Sequence, residues 1–250
     1  MPRVARIVVP GAAHHVVQRG NNKQDVFFVD DDRRVYLELL REQGRRFGFR
    51  VDGYCLMTNH VHVVGVPEQE ESLAKAVGRT HFLYSQYVNR MHGRGGHLWQ
   101  NRFFSCAMDD AYAHNALCYA ELNPVRAGMV KKAWDYPWSS AAAHCGTETD
   151  SAFLDLAAWF REVSAKDWKA TLKEVARDKA ALESIRRSTH TGRPLGNPRP
   201  RPLALIEYPV LEPGVPTLEH IAGELVKGFG ELDEETQTRW VNIGATLIGV

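Results

Sequence analysis

Two hydrophobic periodicities alternate along the chain. Residues 12–17 (AAHHVV) read as a strand, stopped by the turn-forming cluster Arg19-Gly20-Asn21-Asn22. After Asp30, Asp31 and Asp32, the apolar positions Val35, Leu39, Leu40 and Phe47 recur at helical spacing, and Gly48 marks the end of that helix. Strand-like runs at 50–57 and 60–66 are separated only by Met57-Thr58-Asn59, which predicts an antiparallel hairpin. A broken stripe of Leu73, Val77, Phe82, Leu83 and Val88 predicts a second helix over 71–91, stopped by Gly93-Arg94-Gly95-Gly96. The apolar, aromatic stretch 98–108 reads as another strand. Asp109 and Asp110 then cap a helix running to Leu122, before Pro124. This order predicts an α+β fold, an antiparallel sheet with helices on one face in the ferredoxin-like, split βαβ arrangement, rather than a parallel Rossmann sheet.

Past residue 150 the character changes. Residues 151–185 form an amphipathic helical pattern carrying Leu154, Trp159, Phe160, Val163, Trp168, Leu172 and Val175. Residues 186–202 hold five arginines, four prolines, two glycines and no acid, a composition that predicts a linker or extended arm. A last helical pattern, 217–229, leads to the apolar Ile243, Leu247, Ile248 and Val250. The chain is therefore expected to divide into a main domain over 1–145, a mainly helical C-terminal extension over 146–185, a basic linker over 186–203 and a small helical segment over 204–250.

Composition narrows the classes. At 250 residues with 44% hydrophobic and 24% charged positions, the chain can bury a core, and neither wholesale disorder nor a coiled coil fits. Its net charge of +1 argues against nucleic acid held mainly by a long-range positive field. The four cysteines are widely spaced with no CxxC pair, which indicates neither zinc ribbon nor disulfide framework and suits a reduced cytosol. No signal-peptide core and no run of 18 apolar residues is present, so no membrane association is expected.

Two constellations could carry chemistry. His60 and His62 flank Val61 on a predicted strand, where i and i+2 project to one face and two imidazoles can share a metal. With 11 histidines, about half of one such pair arises by chance, so on its own the pair also fits satisfied or exposed histidines. Tyr119 and Asn123 are four apart, hence on one helical face if the helix persists. An Asn carbonyl suits a hard divalent cation, although Asn123 before Pro124 also reads as a simple helix terminator.

The combination of HVH at 60–62, WQNRF at 99–103, YAELNPVRAGMV at 119–130 and YPWSS at 136–140, with the opening PGAAHHVVQRGNNKQDVFF, resembles the REP-associated tyrosine transposases of the HUH single-strand nuclease superfamily. The resemblance covers about residues 1–145, which it marks as a catalytic domain. It implies a metal-dependent, transposase-like endonuclease and strand transferase that acts on hairpin-forming single-stranded DNA through a 5′-phosphotyrosine. On that reading Tyr119 is the nucleophile, while His60, His62 and Asn123 hold Mg²⁺ or Mn²⁺. Arg19, Asn21, Lys23, Arg94 and Arg102, with Trp99 and Phe103, are candidate DNA contacts, the aromatics as stacking platforms. His114 and Glu121 are candidate bases by nearness alone. The implied partner is a repetitive extragenic palindrome-like hairpin, the implied state a monomer or homodimer, and the implied location the cytoplasm at the nucleoid. A non-catalytic hairpin-binding regulator of the same fold, or an RNA hairpin binder, would carry the same motifs.

Overall fold

A computed structural model describes residues 6–147, 154–176 and 179–199. Four strands and two helices follow the order expected from the sequence: β1 (Ala13–Arg19), α1 (Asp30–Phe47), β2 (Phe49–Met57), β3 (His60–Pro67), α2 (Ser72–Met91) and β4 (Phe104–Met108). They are followed by α3 (Asp110–Glu121), α4 (Asn123–Arg126), α5 (Ala141–His144), α6 (Leu156–Glu162), α7 (Ala165–Val175) and α8 (Lys179–Thr191). The sheet order is β2-β3-β1-β4 with every pairing antiparallel, which is the ferredoxin-like arrangement of an α+β fold.

Local chemistry sets the element ends. The Asp32 carboxylate accepts from the backbone N–H groups of Phe28 and Val29 at 2.7 and 3.0 Å, so the acids expected to open α1 do so by satisfying free donors. Gly48, at φ +67°, supplies the left-handed cap that ends α1. Asp109 caps α3 by accepting from the N–H of Tyr112 at 3.1 Å.

Alternation along the strands sorts the core into two layers. Val16, Val61, Val63 and Leu56 pack against α1 and α2 through Tyr36, Leu39, Leu40, Leu73, Val77 and Tyr84. Cys55, Val64, Cys106 and Met108 line the opposite layer, under Ala116, Leu117, Cys118 and Ala120 of α3 and Trp168 and Leu172 of α7. Helices thus cover both faces of the sheet rather than one, because the second face is as apolar as the first. The four cysteines are free and buried.

The stretch 98–108 is not one strand. Only its second half pairs with β1, while Leu98, Trp99 and Phe103 are buried in the α1/α2 layer and Trp99 joins the sheet through a single bridge to Gly20. The basic segment from Arg186 is likewise not an extended linker at its start. It is helical through Thr191 because Ile185 and Thr189 face inward, and beyond α8 Leu195 forms a parallel bridge with Met108 at the outer edge of β4. The Leu195 N–H donates to Ala107 O at 2.9 Å and the Asp109 N–H to Leu195 O at 3.1 Å. At the other edge, Ser139 bridges Cys55 of β2. The expected helical segment over 204–250 lies outside the described residues, none of whose helices is long and apolar enough to cross a membrane.

Candidate active site

The β1–β3 register places Arg19 opposite His60 and Val17 opposite His62, so these residues and His15 share one face at one end of the sheet. There they line a cleft of about 540 Å³, closed on its other sides by Tyr119 of α3, Asn123 and Arg126 of α4, and Arg186 and His190 of α8. The His60 and His62 rings lie 5.1 Å apart between centroids, and the Tyr119 ring lies 5.6 Å from His62. The residues singled out as HVH, Tyr119 and Asn123 are therefore brought together.

Each histidine of the pair spends one nitrogen on a neighbour. His60 Nδ1 lies 2.7 Å from Asn59 Oδ1, an oxygen that can only accept, so His60 carries its proton on Nδ1. Asn59 is itself held by donating Nδ2 to Lys23 O at 3.1 Å. Lys23 and Asn22 are the two described non-glycine residues with left-handed φ, at +61° and +50°. His62 Nδ1 lies 3.0 Å from His15 Nε2. Burial lowers His60 to about 4 and His15 to about 3, and lowers His62 well below the ordinary histidine value, with neighbouring charged groups adding to the shift. All three are neutral at physiological pH, the form in which imidazole ligates metal.

Tyr119 and Asn123 stay in helical register although Pro124 lacks the N–H that would continue α3 unbroken. α4 resumes the path, and the Ala127 N–H closes on Asn123 O at 2.9 Å. Asn123 Nδ2 donates to Tyr119 O at 3.2 Å, which commits its amide nitrogen and leaves Oδ1 as the group to offer an ion. The donor set of two neutral imidazoles and an amide oxygen fits a divalent cation. Among the described residues no group of three His, Cys, Asp or Glu is arranged to hold a metal ion. Arg126, one turn on, holds its guanidinium 4.1 Å from the Tyr119 ring centroid and donates to Tyr119 O at 2.9 Å.

Other candidates are placed differently. Arg19 is exposed and lines the cleft. Asn21 and Lys23 sit in the 3₁₀ turn beside it, and Arg94 donates to Gln24 and covers the exposed ring of Phe28. Trp99 is not a stacking platform: its indole donates to His81 O at 3.1 Å and packs 4.7 Å from the His81 ring, inside the core. Phe103 is buried under the Arg6 guanidinium, 3.7 Å away. Arg102 borders a second groove of about 840 Å³ on the α2 side, which meets the cleft at Gln100. Neither proposed base faces Tyr119. His114 packs 4.8 Å from Trp168, and the buried Glu121 carboxylate accepts from Ser140 Oγ and His144 Nδ1, each at 2.6 Å, and from Trp168 Nε1 at 2.8 Å.

Sequence reasoning passed over His15, Arg126 and Thr189. Arg126 was legible as i+3 from Asn123 and i+7 from Tyr119 on a continuing helix. His15 sits in the HH pair of β1, whose partner strand supplies the meaning, and Thr189 had no local signal at all.

Residues 8–123 match the family model described as "Transposase IS200 like". A Haemophilus influenzae protein described as a REP-associated tyrosine transposase is 25% identical over 127 residues, covering 45% of this chain and 68% of that protein. A solved structure of a REP-associated tyrosine transposase bound to a REP hairpin aligns with TM-score 0.48 and 18% identity, covering 58% of this chain and 86% of the other. Residues 8–123, which hold both histidines of the pair and Tyr119, are thus similar to the IS200-like transposases.

Proposed function

We propose that this chain is a transposase-like, metal-dependent single-stranded DNA endonuclease and strand transferase that cuts and rejoins hairpin-forming repeat DNA through a 5′-phosphotyrosine. The observation that carries this reading is that two neutral imidazoles with uncommitted Nε2 atoms share one cleft with the Tyr119 phenol. The repeat-hairpin substrate follows the description of the Haemophilus influenzae relative. Such a substrate also locates the reaction in the cytoplasm, at the nucleoid.

His60, His62 and Asn123 would hold the cation, and imidazole ligation favours Mn²⁺ over Mg²⁺ on ligand preference. The bound ion supplies Lewis-acid polarisation of the scissile phosphate. The chain's own residues supply the rest. Tyr119 Oη forms a bond to phosphorus and loses its proton, while the bond from phosphorus to the 3′ oxygen breaks and that oxygen leaves as a hydroxyl. One phosphodiester is exchanged for another, so the same residues can run the reaction backwards and join strands. Arg126, against the Tyr119 ring, fixes its orientation and places positive charge beside the developing negative charge. Arg19 and Arg186, which both line the cleft, meet the flanking phosphates.

A labelled single-stranded hairpin oligonucleotide incubated with the protein and Mn²⁺ should give a covalent protein–DNA adduct. Tyr119→Phe should abolish the adduct and leave hairpin binding nearly intact. An adduct that survives this substitution removes Tyr119 as nucleophile, and binding by the wild type with no adduct under any divalent ion removes the enzymatic reading.

A further inference from the structure

Helix α8 lies outside the matched segment 8–123, yet one of its side chains reaches His15, the neighbour of His62. Thr189 Oγ1 lies 2.9 Å from Ile185 O, one helical turn back, and 2.8 Å from His15 Nδ1. His15 Nε2 in turn lies 3.0 Å from His62 Nδ1. Thr189, His15 and His62 are all buried, at 2%, 0% and 3% exposure, so water cannot readily substitute for any member.

We propose that Thr189 is a positioning residue of the active site, acting through His15 to hold His62 in the tautomer that presents a bare Nε2 to the cleft. Counting protons gives the direction of every bond. The Thr189 hydroxyl has one proton, and Ile185 O can only accept it, so the hydroxyl oxygen must accept from His15 Nδ1–H. A neutral imidazole has a single N–H, which leaves His15 Nε2 as a lone pair. That lone pair accepts from His62 Nδ1–H, and the only proton of His62 is thereby committed away from the cleft. Without the hydroxyl, His15 is free to place its proton on Nε2. It would then face His62 Nδ1 as a donor, and the His62 proton would move to the ligand nitrogen. His60 needs no such help, because its partner Asn59 is its neighbour in sequence. Orienting partners of this kind typically change metal affinity 10- to 100-fold. The tautomer stands on the hydrogen bonds alone, while its use for ion binding rests on the proposed function above.

The test uses the full-length, metal-free protein labelled with ¹⁵N in its histidines, at one neutral pH, as wild type, Thr189→Val and Thr189→Ser. Valine keeps the branched shape and removes the hydroxyl; serine restores the hydroxyl. Imidazole nitrogen–proton correlations should show wild-type His15 and His62 protonated on Nδ1. Thr189→Val should shift His62 towards Nε2 protonation, and Thr189→Ser should restore the wild-type pattern. Mn²⁺ titration followed by electron paramagnetic resonance should show binding weakened about tenfold in Thr189→Val and recovered in Thr189→Ser. A wild-type His62 protonated on Nε2 overturns the proposal without any variant, and so does a Thr189→Val protein with unchanged tautomers and unchanged Mn²⁺ affinity. If the tautomers respond as expected but no variant binds Mn²⁺ or forms the DNA adduct, the relay stands and the functional reading beneath it fails.

Discussion

His14 and His81 lie inside the protein away from the cleft, and burial holds them near 4 and near 3. His14 bonds Ala12 O and accepts from the Val9 N–H, and His81 is paired with the Tyr36 hydroxyl, so each is satisfied as a neutral ring. Unfolded, both would titrate near 6.5. Their folded values are depressed, so the stability they contribute is complete above about pH 6.5 and is lost as pH falls towards 4, where the unfolded chain binds protons that the folded one refuses. Each unit of displacement is worth about 1.4 kcal/mol per group. The urea midpoint should therefore fall clearly between pH 7 and pH 5, and equal midpoints at the two values would contradict the burial of these neutral rings. At this scale the sequence made His60, His62, Tyr119 and Asn123 legible, because strand alternation and helical spacing bring them together over short distances. His15 and Thr189 were not legible, because their use depends on strand register and on a helix packed from far along the chain.

Among elements, α3, which carries Tyr119, depends on the extension. Glu121, two residues after Tyr119, receives three donors, one of which, the Trp168 indole, comes from α7. Trp168→Phe keeps much of the packing but leaves a buried carboxylate oxygen without its partner, at an expected cost of about 1–3 kcal/mol by urea unfolding. A loss within error would mean that water replaces the indole. The close of α8 against the sheet has a similar single point of dependence. Gly196 has φ +69°, and a Cβ there would sit 1.8 Å from Asp109 Oδ2. Gly196→Ala should therefore loosen the Leu195 pairing, read as faster hydrogen exchange at the amides of Asp109 and Leu195. The helices α1 and α2 and the β2–β3 hairpin follow the sequence pattern closely, since each buries one periodic face. Residues 98–103 do not, because an aromatic run suits a core plug as well as a strand. The arginine-rich end of α8 misleads for the complementary reason: its composition is polar, yet Ile185 and Thr189, one turn apart, are enough to seat one face.

For the molecule as a whole, charge is a matter of placement. Residues 1–150 carry 18 Lys and Arg against 16 Asp and Glu, so no broad positive field exists, but Arg19, Arg126 and Arg186 converge on the cleft. If each neutralises one phosphate of a single strand, log affinity against log salt should have a slope of about −2, since each contact contributes about −0.7. A slope several times steeper would place the main nucleic-acid contacts elsewhere. The two bridges at the sheet margins, Ser139 on β2 and Leu195 on β4, bear on how the chain is made. Where such a bridge forms, fewer ladder groups of that edge are left free to pair with a neighbour's strand. During synthesis β2 receives its cover before the extension has emerged, whereas β4 waits for Leu195. The nascent fold therefore carries one open edge through the whole translation of α6, α7 and α8, and that interval is when mispairing between chains is easiest.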